Sequence, residues 1–437
     1  MHMHSSKSPA PPLLVLSNGH GEDLIAARVL AALRQQGDNG LMDGMALVGL
    51  GAGLASVPGF RPIGPRQQLP SGGFSNQSFT GLLQDLWAGL GGLTLAQWRT
   101  IWQWRGAHPQ GVVLAVGDLL PLVLAWDSGL PYGFIGTPKS DWTWLTNWGT
   151  TPVADAYHRC KGSEWDPWEW WLMGHGRCRF VVVRDGLTAR GLRRHGIDAL
   201  APGNPMVDGP VAEDPPLPAS LRQQRRWLML PGSRLPECLI NLERLLAALP
   251  RQPAALVLLA TGHQLDLQAL ATVVTGQGFA PCQSPADMGR RPAWRRDNLL
   301  LLWGPGCFET WLPWAELGLA TAGTATEQLV GRGVPALSLP GPGPQFTPAF
   351  ARRQSRLLGG AVIPCFSPQQ FRQELARLLE DDQHGRVLGR RGRRRMGPRG
   401  GSGAIARLVR QRLLQPHGTI NPAAPLSWPS PSKAHMR

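Results

Sequence analysis

Apolar residues fall along this chain in short leucine- and valine-rich runs, each closed by glycine, proline or polar residues and then followed by helical spacing. Runs at 13–16 (LLVL), 112–116 (VVLAV), 132–136 (YGFIG) and 180–183 (FVVV) carry this pattern in the first half. Strands buried on both faces read this way, because crossover helices cover both sides of a parallel sheet. The same alternation restarts at Arg225 with RRWLML and a leucine-rich helix, and continues through ALVLLATG, NLLLLWG, LGLATAGTATEQLVGRG and PALSLPG. Two doubly wound α/β domains are predicted. The first is Rossmann-like over 12–205 after a flexible start at 1–11, and the second spans 225–414 before a disordered tail at 415–437. Between them 206–224, rich in proline and acids, is expected to be the linker.

Two stretches break the alternation. Residues 60–80, with GPRQQLPSGGFSNQSF, are expected to form a long glycine-rich loop. From Trp87 to Trp171 the chain holds 12 of its 18 tryptophans, in AQWRTIWQWR, DWTWLTNW and EWDPWEWWLM. Packing explains some of them. Trp beside Arg is also what a membrane interface or an apolar acceptor groove uses, because the indole is amphipathic and Arg stacks or snorkels.

Composition narrows the partners. A net charge of +15, nearly all of it from arginine because only four lysines are present, calls for an acidic partner. The densest basic run, GRVLGRRGRRRMGPRG at 385–400, has no RNA- or DNA-binding motif beside it, so no nucleic acid is expected. An anionic membrane surface suits clustered arginine better. Six scattered cysteines show no CxxC pair and no zinc-ligand spacing, so no metal is expected. The first twelve residues lack a secretory pattern. The longest apolar run, 16 residues interrupted by Asp118 and Pro121, is too short to span a bilayer. The expected location is cytoplasmic, peripheral on the inner face of a membrane.

In a doubly wound sheet, ligands bind beyond the carboxyl ends of the strands. Four loops qualify. In LMLPGSRLPE, Gly232 lets the backbone approach a ligand, while Ser233 and Arg234 stand before a helix start, a combination suited to a diphosphate. In LATAGTATEQLV, Gly323, Thr324, Ala325 and Thr326 offer amides and hydroxyls, and Glu327 or Gln328 can accept from a sugar hydroxyl; the plain alternative is an N-capped helix. Asp118 in LAVGDLLP closes an apolar strand, either as a base for an acceptor hydroxyl or as a helix cap. The opening loop SNGHGED holds Asn18, Gly19, His20 and Gly21, followed by Glu22 and Asp23, which favour a helix N-terminus and compete with any anion for its amides.

LPGSR followed some ninety residues later by AELGLATAGTATEQ resembles the lipid A disaccharide synthase family. GTPKSDWTW (136–144) is similar to that family's Ser-Pro-x-x-Trp-Ala-Trp segment, and PGNPMVD (202–208) to its Gly-His-Pro-Leu-x-Asp, with Asn204 where histidine is usual. The match is strong in the second half and patchy in the first, as for a divergent branch. It implies a GT-B glycosyltransferase: two Rossmann-like domains facing across a cleft, no cofactor or metal, and transfer with inversion of a sugar from a UDP-sugar to a lipid or glycolipid. UDP-GlcNAc or an acylated derivative is the implied donor. The resemblance places Gly232, Ser233, Arg234, Gly323, Thr324, Ala325 and Thr326 on the donor side, with Glu327 or Gln328 at the ribose. Asn18, Gly19, Gly21, Trp142, Trp144 and Asn204 fall on the acceptor side, and Asp118 or His20 is the base. A UDP-sugar epimerase and a non-catalytic lipid-associated binding protein on the same scaffold are the alternatives.

Overall fold

A computed structural model describes residues 10–66, 90–146, 152–209, 214–252, 254–341 and 346–415. The expected flexible start, most of the glycine-rich loop and nearly all of the tail lie outside the described residues, as do Trp87 and Trp148.

Seven strands form the first sheet: β1 Leu13–Ser17, β2 Met42–Ala46, β3 Phe60–Pro62, β4 Val112–Gly117, β5 Tyr132–Gly136, β6 Cys178–Val183 and β7 Ala199–Leu200. All are parallel, in the order β3-β2-β1-β4-β5-β6-β7. Eight strands form the second: β8 Arg225–Leu230, β9 Ala255–Thr261, β10 Ala280–Cys282, β11 Ala293–Arg296, β12 Leu299–Pro305, β13 Leu317–Ala320, β14 Ala336–Ser338 and β15 Val362–Pro364. Their order is β10-β11-β12-β9-β8-β13-β14-β15, parallel except where β11 pairs antiparallel with both neighbours. The order reverses beside β1 in one sheet and beside β8 in the other. Such switch points open a crevice at the carboxyl ends of the strands, and both of the glycine loops discussed below begin there.

The runs predicted as strands are β1, β4, β5, β6, β8, β9, β12, β13 and β14. β2 escapes the pattern, because MDGMA carries a charge and a glycine among its five residues. Asp43 is nevertheless buried: Arg61 donates to both its oxygens at 2.7 and 2.8 Å, and Trp104 Nε1 donates at 2.7 Å. A fully paired carboxylate can sit in a core strand, which an unpaired one cannot.

The linker region ties the halves together. Pro205–Val207 is one turn of 3₁₀ helix, and the carboxylate of Asp208 accepts from the amides of Gly400 and Ser402, both at 2.6 Å. There the chain crosses back, so its end does not stay with the second domain. The helix Gly401–Val409 packs on the first helix, His20–Gln35, sharing one apolar cluster with Val29, Leu30 and Leu33. Gln36 Nε2 donates to the Gly403 carbonyl at 3.0 Å, and Arg410 to that of Gln36 at 3.3 Å. The basic run belongs to a helix, Asp382–Met396, whose Leu388, Gly389, Gly392 and Met396 are buried while Arg386, Arg390, Arg393 and Arg394 face outward.

Candidate active site in the cleft

Both switch-point strands lead into a helix through a positive-φ turn that glycine alone adopts readily. After β8 the chain turns at Gly232 (φ 103°), passes Ser233 and Arg234, and enters the helix Glu237–Ala248. Arg234 is half-buried, and loss of water depresses the pKa of its guanidinium although the nearby Glu237 opposes this. Pro231, Gly232, Ser233 and Arg234 line a small pocket together with Asn241, Thr321 and Phe346. Ser233 is exposed there. This is the geometry expected for an anion at a helix start.

After β1 the chain turns at Gly19 (φ 144°) and begins its first helix at His20. The His20 side chain lies outside the described residues. Gly21 stands so close to the second domain that a methyl group on it would sit 3.2 Å from Thr324 Oγ1. The opening loop and the LATAGTATEQ loop therefore meet face to face across the cleft.

The titratable group that dominates this meeting point is Glu22, which the sequence suggests only as a helix-start acid. Burial raises its pKa to about 7; the Thr137 hydroxyl, donating at 3.0 Å, pulls it down, and the charges of Asp118 and Asp23 push it up. Asp23 is also raised, to about 6, by burial, against the pull of the Ser17 hydroxyl that donates to it. Its carboxyl faces the interior, whereas that of Glu22 faces Thr137 at the carboxyl end of β5. Asp118 caps the helix Leu119–Asp127 by accepting from the Leu120 amide at 3.2 Å. Both its sequence-predicted roles keep it at the cleft, one step after β4.

Thr137 is a hub. Its hydroxyl holds Glu22, and its carbonyl accepts from Arg184 at 3.4 Å; Arg184 in turn pairs with Glu327 of the second domain at 3.1 Å. Arg28, from the first helix, donates to the carbonyls of Pro205 and Met206 at 2.8 Å each, and reaches Glu309 at 3.3 Å and the side-chain oxygen of Gln328 at 3.4 Å. Neither arginine carries a sequence signal, because its partners lie 47 to 300 positions away.

Several residues placed at the site by sequence are held in structural bonds. The Thr326 hydroxyl is turned into its own helix and donates to the Ala322 carbonyl at 2.6 Å, leaving Gly323, Thr324 and Ala325 as the half-exposed donors of that loop. Glu327 and Gln328 are engaged by Arg184 and Arg28. Asn204 is buried and caps the 3₁₀ turn through the Met206 amide at 3.0 Å. Trp144 is buried with its indole N–H on Asp141 at 3.2 Å, and Trp142 lies beneath Arg395, whose guanidinium is 3.4 Å from the ring centroid. Trp142 thus joins the domains through Arg395. Among the described residues, no three His, Cys, Asp or Glu side chains converge as a metal-ligand set, and no helix is long and apolar enough to cross a membrane.

No protein-family model matches the chain, and no curated protein matches it in sequence. Solved structures do match in fold. The S. aureus MnaA–UDP structure is similar over 92% of this chain and 96% of its own, at 13% identity and a TM-score of 0.56. CalG4, the calicheamicin glycosyltransferase, aligns over 92% and 99% at 15% identity and 0.55. The UDP-GlcNAc 2-epimerase of Neisseria meningitidis bound to UDP-GlcNAc aligns over 91% and 99% at 13% identity and 0.51. The chain accordingly has the GT-B fold, two Rossmann-like domains facing across a cleft, the architecture shared by that glycosyltransferase and that UDP-GlcNAc 2-epimerase.

Proposed function

We propose that this protein is a glycosyltransferase that moves a sugar from a UDP-sugar to a hydroxyl of a lipid or glycolipid at a membrane surface. The observation that carries the reading is the meeting of the opening loop with the LATAGTATEQ loop, where Gly21 stands against Thr324 and the next residue is the protonatable Glu22, in a cleft whose second domain also offers the arginine-bearing helix start after β8. The diphosphate would lie at Gly232–Arg234 and the nucleotide sugar against Gly323–Ala325. Arg234 and the amides of the helix start would meet the charge on the leaving group.

Glu22 is the base that the geometry favours. A pKa of about 7 leaves it partly ionised at neutral pH while still basic enough to take a proton. In the proposed step the acceptor O–H gives its proton to Glu22 and its oxygen bonds to the anomeric carbon. The bond from that carbon to the diphosphate oxygen breaks, and UDP departs with the electron pair. A single displacement inverts the anomeric centre. Asp118, close enough to raise the Glu22 pKa, would tune the base.

An epimerase is the second reading, because the UDP-GlcNAc 2-epimerase of Neisseria meningitidis shares the fold. Purified protein incubated with a panel of UDP-sugars and extracted membrane lipids, followed by mass spectrometry, separates them. The transferase reading expects a lipid that gains a hexose or hexosamine. Interconversion of a UDP-sugar without lipid would establish the epimerase, and no change in either pool would leave a binding protein.

A further inference from the structure

The tryptophan-rich stretch divides in the structure. Trp104, Trp144 and Trp165 are buried, while Trp98, Trp102, Trp168 and Trp171 are 39, 40, 55 and 58% exposed. The exposed four lie on two helices of one face of the first sheet, and a third helix joins them. On Leu90–Ala107, residues Leu93, Gln97, Ile101 and Trp104 face the core, and Leu95, Trp98 and Trp102 form a second apolar ridge pointing outward. Asp127, at the end of the helix Leu119–Asp127, accepts from both outward indoles, Trp98 at 2.6 Å and Trp102 at 3.0 Å. Its neighbour Trp126 packs edge-on against Trp171 of the helix Pro167–Met173, with ring centroids 5.2 Å apart. Trp168 lies three positions before Trp171 on that helix.

We infer that this surface docks on the interface of an anionic lipid bilayer. Three features favour lipid. First, the outward charge is net positive. The helix Leu90–Ala107 carries Arg99 and Arg105 and no acid, and the Arg105 guanidinium stacks 4.8 Å from the Trp102 ring. Of the acids on the other two helices, Glu169 is buried on Lys139 at 2.5 Å, and Asp127 keeps its charge while accepting from two indoles. Two arginines thus stand against one outward carboxylate, in a chain of net charge +15. Second, indoles beside snorkelling arginines match the level of lipid headgroups, where the ring is apolar and its N–H is polar. Third, the surface stands clear of the cleft. The helix Leu119–Asp127 starts at Asp118 beside the cleft and ends at Asp127, so Trp98, Trp102, Trp126 and Trp171 gather toward the amino ends of the strands. The second domain packs with the first helix, in the other apolar cluster, so docking leaves the cleft unobstructed. This surface stands independently of the transfer reaction and would hold the protein where a lipid acceptor resides.

The test is co-sedimentation of the purified full chain with phosphatidylglycerol/phosphatidylethanolamine vesicles and with phosphatidylcholine vesicles. A parallel set with brominated acyl chains reads tryptophan quenching. We expect partition onto the anionic vesicles with quenching, and at least a tenfold loss in the triple variant Trp98→Ser/Trp102→Ser/Trp171→Ser, with melting temperature and UDP affinity unchanged. Arg99→Gln should cost about fivefold on anionic vesicles, from ~1 kcal/mol per basic residue at such a surface, and nothing on phosphatidylcholine. If the triple variant aggregates, Trp168→Ser and Trp171→Ser singly provide the same reading with a smaller loss. No partition of the wild-type protein, or equal partition of the variants, overturns the inference. A dimer that dissociates in the tryptophan variants, without vesicle binding, would overturn it in favour of a second copy of the chain. Failure of UDP binding with vesicle binding intact would count against the transferase reading alone.

Discussion

The loop after β1 and the loop after β8 use one backbone device for opposite chemistry. Each closes a central strand at a switch point, turns at a glycine of positive φ (144° at Gly19, 103° at Gly232) and starts a helix. The second-domain loop then presents Ser233 and Arg234; the first-domain loop presents Glu22 and Asp23, both with raised pKa values. A helix start attracts anions wherever it occurs, so the acids of the first loop occupy the electrostatic position that a phosphate would otherwise take. Both helices carry an acid in their first turn, Glu237 in the second and Glu22 in the first; the comparison teaches that the cation Arg234 ahead of the helix, and not the turn itself, marks the half for a leaving diphosphate from the half for a proton.

Removing the acid should have the largest effect. Glu22→Gln is expected to lower turnover by about 10²–10⁴, the usual span for a general base, while UDP affinity is unchanged; steady-state rates beside a UDP titration check both. Below neutrality the wild-type rate should fall along a limb near pH 7, where Glu22 becomes protonated, and the variant should lack that limb. Removing the cation comes next. Arg234→Ala should weaken UDP binding at least tenfold, from the ~1.5–3 kcal/mol of a hydrogen bond to a charged group.

The carboxyl should also reveal itself in stability. A folded-state pKa of about 7 against an ordinary 4.5 means that the folded chain holds the proton more tightly. The resulting stabilisation is complete below pH 4.5 and is lost as pH rises through 7. Glutamine does not ionise, so Glu22→Gln should become more stable than wild type across that window. The gain by pH 8 is about 1–3 kcal/mol, readable by denaturant melts at pH 4 and pH 8. The smallest effect tests the hub. Thr137→Val removes a hydroxyl that favours the ionised carboxylate, so the limb of the pH–rate profile should move upward from 7. An unmoved limb would detach Glu22 from the kinetics.

The strands that build both sheets were legible because β1, β4 and β9 are near-continuous apolar runs and β8 turns apolar from Trp227 onward, as buried parallel strands do. Where a strand carries a paired charge, as β2 does at Asp43, the pattern fails: Arg61 and Trp104 are 18 and 61 positions away. The site follows the same rule. PGSR and SNGHGED were visible because a strand, a glycine and a helix start are local. Glu22 was visible only as a helix-start acid, since what raises its pKa is burial at the carboxyl end of β5 and a distant aspartate. Asn204 and Trp142 match an acceptor motif in sequence, yet one caps the turn between the domains and the other holds Arg395. Side chains that join two domains obey packing over hundreds of positions, and no short motif records that.

The central claim is that the cleft divides its labour between Arg234 for a nucleoside diphosphate and Glu22 for a proton. A calorimetric titration of UDP into wild type, Arg234→Ala and Glu22→Gln addresses it most directly. The account predicts that wild type and Glu22→Gln bind UDP alike and that Arg234→Ala binds at least tenfold more weakly. Wild-type protein without affinity for UDP, or Arg234→Ala with undiminished affinity, would contradict it.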